Sequence, residues 1–166
     1  MSEEKIAEIV KATEDTSLSK EDKVSLISKI HEFEKVIANQ PQLEIKTTHH
    51  FSKGVYAREI FIPKGALIVG KIHKHECLNI VSKGDISFIS IDGAKRVQAP
   101  YTVLASPGVK RIGYAHEDTI WTTVHGTNET DLKKIEDEFI AKTYGEVEIL
   151  TKEEINLIEG VLECHG

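Results

Sequence analysis

The chain has 166 residues, of which 40% are hydrophobic and 29% are charged, and its formal net charge is −6 at pH 7. This length suits one globular domain that buries a core without disulfide or metal staples. No apolar run approaches the roughly 20 residues of a transmembrane helix, and the acidic, amphipathic N-terminus does not resemble a signal peptide. Two cysteines, Cys77 and Cys164, are too few for a disulfide framework, so we expect a soluble cytoplasmic protein with free thiols.

Charge is distributed unevenly along the chain. The two ends are acidic, whereas residues 45–128 carry a net positive charge. The lysines of this middle region are scattered and do not form a basic run, so we expect neither nucleic-acid binding nor membrane binding.

The N-terminal segment, residues 1–42, is predicted to be helical. Apolar residues between Lys20 and Ala38 recur at spacings of three and four, which places them on one face of a helix. Ser19 with Asp22 resembles a capping box at the start of this helix. We expect the segment to pack on the main domain, with a dimerisation arm as the alternative. A shorter preceding helix is indicated by Ile6, Ile9 and Val10.

Short strands dominate residues 43–126. Stretches rich in β-branched residues alternate with Gly, Pro and Asp turn signals, without helices between them. This pattern predicts an antiparallel sandwich or barrel. The turn signals are Gly54, Pro63–Gly65, Gly84, Asp92–Gly93, Pro100 and Pro107–Gly108.

Residues 127–166 are predicted to form two helices that complete one globular domain. Thr151 with Glu154 three residues later resembles a capping box at the start of the second helix. The first helix is indicated by apolar residues at helical spacing, namely Leu132, Ile135, Phe139 and Ile140.

A His-x-His pair on a predicted strand is the main candidate for chemistry. His73 and His75 project from the same face of this strand because side chains alternate along a strand. Two neutral imidazoles, with Glu76 and Cys77 directly after them, provide part of a ligand shell for a divalent metal. The structural alternatives are a pair of surface histidines on an edge strand and a cysteine that simply packs as a small hydrophobe.

The surrounding pattern resembles the first motif of the cupin superfamily. That motif has a glycine, His-x-His, a glutamate a few residues later and a second glycine; the matching residues here are Gly65, His73, His75 and Gly84. With three residues between His75 and the glutamate position, that position is occupied by Asn79. Counted back from the second glycine, Gly84, the same position is occupied by Cys77 or Glu76. Glu76 directly follows His75, so its side chain would leave the strand on the opposite face unless a bulge re-aims it.

The second cupin motif is matched more loosely by the segment APYTVLASPGVKRIGYAHED. Pro107–Gly108 stands at its turn, but Arg111 occupies the position of the usual histidine ligand. Arg111 is a candidate to anchor an anionic substrate through a bidentate contact. The structural alternative is a basic residue on the outer face of a strand.

Two histidines are candidates to replace the missing ligand. If Glu117–Asp118 form the turn of a hairpin, His125 lies opposite Lys110, beside Arg111, and His116 lies at the hairpin tip. This register favours His125 and leaves His116 as the alternative. It also predicts that the Tyr114 and Trp121 rings face each other across the hairpin.

The resemblance covers roughly residues 54–126. It implies a mainly β fold, a cupin-type double-stranded β-helix or jelly roll with helices at both ends, and any metal between the sheets. It also implies a homodimer. The residues around His116 and Trp121 are further similar to small cupin-like proteins of tailed bacteriophages, which would place the protein in the host cytoplasm.

Two functions stay open. The first is a metal-binding cupin enzyme, an oxygenase or isomerase acting on a small molecule. In it His73, His75 and His125 hold Fe(II), Mn(II), Ni(II) or Zn(II), Glu76 is a fourth ligand or a base, and Arg111 binds the substrate. The second is a non-catalytic cupin that binds a small ligand or a protein partner, including a virion-associated role. The sequence lacks a phosphate loop, a CxxC pair, an HExxH motif and a G-x-S-x-G elbow, which disfavours nucleotide-driven and serine-hydrolase chemistry.

Overall fold

Strands are the commonest regular element in the computed structural model, which describes residues 18–147 and 149–156. Helix α1 spans Lys20–Ala38 and helix α2 spans Leu132–Phe139. A 3-10 turn covers Tyr144–Glu146, and residues 152–156 are helical. The described strands are β1 Thr47–Ser52, β2 Val55–Ile62, β3 Leu67–Val69, β4 Ile72–His73, β5 Cys77–Lys83, β6 Asp85–Ser90, β7 Gly93–Gln98, β8 Tyr101–Ala105, β9 Ile112–Ala115, β10 Thr119–His125 and β11 Ile140–Ala141.

The strands form two antiparallel sheets and one short ribbon. The five-stranded sheet has the order β1-β2-β10-β5-β8, and the four-stranded sheet has the order β3-β9-β6-β7. The ribbon pairs β4 with β11. Strands distant in sequence are neighbours in both sheets, as in a double-sheet jelly roll. The predicted mainly β, cupin-type jelly roll with helices before and after the strands is therefore confirmed.

The main hydrophobic core lies between the two sheets. Inward side chains of the five-stranded sheet, including Ile62, Val81 and Trp121, pack with Ile86 and Phe88 of the four-stranded sheet. Burial alternates residue by residue along β10 and along the first part of β5, as expected for strands with one face on a core. This alternation decides which side chains enter the barrel interior.

Helix α1 packs on the barrel through its apolar face. Val24 and Ile27 belong to a buried cluster that includes Val109 and residues of the C-terminal segment. Near the other end of the helix, the carboxylate of Glu34 pairs with the ammonium group of Lys110, which is only 9% exposed at its side chain. The predicted helix from Lys20 to Ala38 is confirmed, and it packs on the main domain.

The capping signals read from the sequence have the expected geometry. The side chain of Ser19 accepts a hydrogen bond of 3.1 Å from the backbone N–H of Asp22. The backbone N–H of Glu154 donates to Oγ1 of Thr151 at 3.3 Å, and the N–H of Thr151 donates to the Glu154 carboxylate at 2.6 Å. At the start of both helices, free backbone N–H groups are therefore hydrogen-bonded by side chains of residues that are three positions apart.

The predicted hairpin of residues 109–116 with residues 119–125 is wrong. Strand β9 pairs with β3 and β6, whereas β10 pairs with β2 and β5 of the other sheet. The backbone N–H groups of His116 and Glu117 donate to the carbonyl of Asp85, so the chain crosses between sheets where a hairpin turn was expected. Tyr114 and Trp121 consequently lie in different sheets.

One helix boundary also differs from the prediction. Ile140 has an extended backbone and begins β11, because it pairs with His73 of β4. The predicted helix around residues 6–10, the apolar residues 158–162 and Cys164 lie outside the described residues. Within the described ranges, no helix has both the length and the apolar character needed to cross a membrane.

Candidate metal centre

Three side chains that can bind a metal meet inside the barrel. The donor atoms of His73, Cys77 and His125 all lie within 4.8 Å of one another. Cys77 and His125 are buried, His73 is partly buried, and Cys77 is a free thiol. Two imidazoles and one thiol form a donor set that binds divalent transition metals.

Strand pairing and alternation bring these residues together. Val124 of β10 pairs with Leu78 of β5, and Leu78 is exposed on the outer face of the sheet. Their neighbours His125 and Cys77 therefore both lie on the buried face. His73 is the last residue of β4, and the three residues after it lead the chain directly to Cys77.

The spacing of the His73 and Cys77 donor atoms fits a metal. A tetrahedral ion at about 2.3 Å from sulfur and about 2.05 Å from nitrogen separates those two ligand atoms by roughly 3.6 Å. Nδ1 of His73 and Sγ of Cys77 are 3.7 Å apart. Nδ1 of His125 is buried and has no hydrogen-bond partner in the described part of the chain, although buried polar atoms are nearly always satisfied. The three residues therefore fit a bound divalent ion.

Burial keeps both imidazoles neutral near pH 7. It lowers the pKa of His73 to about 4, with further lowering by His125 when that ring is also protonated and by the positive charges of Arg111 and Arg58. It also lowers the pKa of His125 to about 4, with a smaller contribution from His75. Neutral imidazole is the form that binds metals. Each ring therefore has a lone pair available for a ligand.

Asn79 organises the polar groups next to Cys77. Its side chain is 1% exposed, and its Oδ1 accepts hydrogen bonds from Nε1 of Trp121 at 2.9 Å and from Oγ1 of Thr123 at 2.8 Å. Its Nδ2 points to Sγ of Cys77 at 3.7 Å. Burial raises the pKa of the Cys77 thiol, and the hydrogen bond from Asn79 opposes that increase. Asn79 thus holds the sulfur in place and favours its thiolate form.

Aromatic rings enclose His125. The ring of Phe139 stacks on it at a centroid distance of 4.3 Å, the ring of His73 at 5.7 Å and the ring of Tyr56 at 6.3 Å. Nδ1 of His49 and Oη of Tyr56 are 2.8 Å apart and share a hydrogen bond. The rings fix the plane of the His125 imidazole and shield it from water. The shared hydrogen bond links Tyr56 to the exposed His49.

A cavity of about 780 Å³ adjoins the two histidines. This volume is within the range of small-molecule sites. Apolar side chains form much of its wall, and polar and charged residues, among them Arg58, Lys71 and Glu136, form the rest. The lining includes His73, His125, Arg111, Ile86, Phe88 and Trp121.

The structure brings His73 and His125 together but leaves His75 and Glu76 outside the donor group. Strand β4 ends at His73. His75 therefore lies outside the strand, and the alternation of side chains along a strand does not place it on the same face as His73. His75 is exposed, and its ring meets Phe139 edge-on at 5.9 Å. Glu76 is exposed as well and is not among the residues that line the cavity.

Arg111 and His116, the other two candidates, lie in different surroundings. Arg111 directly precedes β9 and lines the cavity, so it is not a basic residue on the outer face of a strand. His116 directly follows β9 and is buried, and its Nε2 shares a hydrogen bond of 2.8 Å with Oγ of Ser87 in the four-stranded sheet. It is not at a hairpin tip, because that hairpin does not form.

Sequence reasoning missed several residues around this centre. His49 is exposed and also lines the cavity. Asn79 was noted only as the residue at the motif's glutamate position; its place two residues after Cys77 on one strand face was a usable signal. The positions of Tyr56 and Phe139 had no local signal, because they depend on strand pairing and on the docking of α2.

No family model and no curated protein matches the sequence. Solved structures with a similar fold include an RmlC-like cupin from Shewanella frigidimarina, 20% identical with a TM-score of 0.44, covering 55% of this chain and 89% of that one. KdgF from Halomonas sp. is 13% identical with a TM-score of 0.46, covering 57% and 90%. An acetylacetone dioxygenase from Acinetobacter johnsonii is 15% identical with a TM-score of 0.42, covering 52% and 66%. These likenesses concern the fold alone.

Proposed function

We propose that the chain is a metal-binding protein of cupin fold whose metal serves oxygenase or isomerase chemistry on a small molecule. His73, Cys77 and His125 are the proposed ligands. The observation that carries the proposal is the meeting of these three donors beside a cavity, with Nδ1 of His125 buried and without a partner in the described chain. Three protein ligands leave one position of a four-coordinate ion for water or substrate.

The surrounding residues have separable roles in this proposal. His73 and His125 are neutral near pH 7, so no proton must leave them before they bind an ion. Asn79 holds the sulfur of Cys77 by its amide group. A bound divalent ion supplies Lewis acidity that polarises an oxygen atom of the substrate or of water. The stacked rings of Tyr56 and Phe139 keep bulk water from His125.

The first experiment measures metal content by inductively coupled plasma mass spectrometry. Untagged wild-type protein, loaded anaerobically with Fe(II), Mn(II), Ni(II) or Zn(II), is expected to keep a stoichiometric amount of one metal. His73→Ala, Cys77→Ala and His125→Ala should each lower metal affinity roughly tenfold or more, because each removes a ligand. The thiolate-to-cobalt absorption band of Co(II)-loaded protein should disappear in Cys77→Ser.

His75→Ala and His50→Ala are the matched controls for this experiment. Both remove an exposed histidine and should keep the metal content of the wild type. Loss of metal in His75→Ala would return His75 to the ligand set, as the sequence motif predicted. No metal in the wild type under any loading condition would refute the proposal.

A non-catalytic barrel that binds a small ligand is the second candidate. One observation favours it: Sγ of Cys77 already has a hydrogen-bond donor in Asn79, and burial raises the pKa of its thiol. A thiol satisfied in this way packs stably without a metal. A metal-free wild type with the cavity intact would support this candidate.

A further inference from the structure

The guanidinium of Arg111 stands in the cavity without a negatively charged partner. Arg111 forms no ion pair with any residue in the described ranges, and its buried Nε has no hydrogen-bond partner there. Its Cζ lies 5.5 Å from the ring centroid of Phe88 and 5.8 Å from that of Trp121. The cation therefore lies against two aromatic faces, in a largely apolar part of the barrel.

The acidic residues of the cavity do not neutralise this charge. Glu34 and Glu136 line the cavity, but Glu34 pairs with Lys110 and Glu136 pairs with Lys71. Each carboxylate is thus already matched by a lysine. The charge of Arg111 is left uncompensated among the described cavity-lining residues.

Arg111 is partly buried. An uncompensated, partly buried cation is costly, and an arginine cannot avoid this cost by losing its proton. Buried lysine or histidine can lose its proton, whereas the guanidinium stays protonated in proteins. Burial lowers the pKa of Arg111, and the negative charges of Asp92 and of a Cys77 thiolate oppose this effect. Neither residue forms an ion pair with the guanidinium or lines the cavity, and Asp92 is exposed. Buried charges are normally paired. The missing partner is therefore best supplied by a ligand.

From this geometry we infer that the cavity binds a small monocarboxylate with an apolar body, its carboxylate held by Arg111. One guanidinium matches a single negative charge, and its planar fork suits the two oxygens of a carboxylate. A phosphate group carries up to two charges and would need more donors. The apolar body would contact the walls formed by Ile86, Phe88 and Trp121. That a monocarboxylate is the substrate of the proposed enzyme rests on the proposed function. Binding of a monocarboxylate by Arg111 does not require the metal.

The test uses the fluorescence of Trp121, which is the single tryptophan of the chain and lies in the cavity wall. Benzoate is titrated into full-length protein treated with a chelator and into protein loaded with Zn(II). Saturable binding is expected in both samples. Benzamide, which has the same shape without the charge, and phenyl phosphate should each bind at least about tenfold more weakly.

Variants of Arg111 separate a binding role from a structural one. Arg111→Met should weaken benzoate binding about 30-fold or more, and Arg111→Lys by less, because lysine keeps the charge but loses the fork. Lys83→Met is the control: it removes an exposed cation outside the cavity and should leave the affinity unchanged. Removing an unpaired buried charge should also raise the melting temperature of Arg111→Met.

Several outcomes would overturn the inference. They are equal binding of benzoate and benzamide, tighter binding of phenyl phosphate, unchanged affinity in Arg111→Met, and a lower melting temperature for that variant. Binding of benzoate to the chelator-treated protein while the wild type holds no metal would refute the proposed function alone. Metal binding without benzoate binding would refute this inference alone.

Discussion

Asn79 shows how one buried amide can determine the interior of a β-barrel. It lies on the inner face of β5 beside Cys77, and its carbonyl oxygen is the acceptor for both Trp121 and Thr123 of β10. The two strands are neighbours in the five-stranded sheet. The amide therefore joins them through their side chains as well as through their backbones.

Replacing Asn79 with leucine should destabilise the protein by about 3 kcal/mol. The substitution leaves two buried donors, Nε1 of Trp121 and Oγ1 of Thr123, without an acceptor, at about 1–3 kcal/mol each. The free energy of unfolding is measured by urea denaturation. Thr123→Val is the comparison, because it removes one donor and leaves the acceptor satisfied; we expect a loss of about 1 kcal/mol. Similar losses in both variants would contradict this account.

Among the structural elements, the turn between β5 and β6 is a tightly constrained connection. It carries the chain from the five-stranded sheet to the four-stranded sheet. Gly84 in this turn has φ +97°, and a Cβ there would lie 2.5 Å from the Asp118 carbonyl oxygen and 2.5 Å from Oγ1 of Thr119. A glycine is therefore required for two separate reasons, backbone conformation and space.

Gly84→Ala should consequently be much more damaging than Gly54→Ala. Gly54 also has a positive φ, +77°, but a Cβ there would meet no atom within 4 Å. Gly54→Ala tests the conformational cost by itself, about 1 kcal/mol, whereas Gly84→Ala adds a steric clash with backbone and should cost about 3 kcal/mol or more. Thermal unfolding of the two variants measures the difference. Equal melting temperatures would show that the turn relaxes freely.

For the whole molecule, acid stability should depend on Asp85. This carboxylate is 5% exposed at its side chain and accepts two hydrogen bonds from Arg96, each of 2.9 Å, and one from Gln98 of 3.1 Å. The hydrogen bonds from Arg96 are the main cause that lowers the pKa of Asp85 below its ordinary value of 3.8; burial opposes them and Gln98 assists.

The pKa of Asp85 sets the direction of this pH effect. Because the folded-state pKa is lower than the unfolded one, the carboxylate stabilises the fold at pH values above 3.8, and that stabilisation is lost as pH falls through the folded-state pKa. Asp85→Asn should cost about 2 kcal/mol near pH 7. The difference in the free energy of unfolding between this variant and the wild type should shrink as pH falls below about 4. Urea denaturation across this range measures it, with the exposed Asp137→Asn as control. A difference independent of pH would contradict the assignment.

Sequence by itself determined the features that depend on neighbours along the chain. The periodicity from Lys20 to Ala38, the cap at Ser19 and the capping box at Thr151 are satisfied by residues within one helical turn. The turn signals and β-branched stretches likewise indicated a two-sheet β fold, because strand ends require residues with particular backbone angles.

Tertiary structure alone decided which strands pair and therefore which side chains meet. His125 lies beside His73, as the assumed hairpin register suggested, but it does so through the pairing of β10 with β5 and not through a hairpin with residues 109–116. A three-residue connection such as 116–118 allows either a hairpin or a crossing between sheets, and local sequence does not distinguish the two. Sheet pairing depends on burying both inner faces at once. For that physical reason the ligand set with Cys77, and the unpaired Arg111 in the same cavity, became visible only in the folded chain.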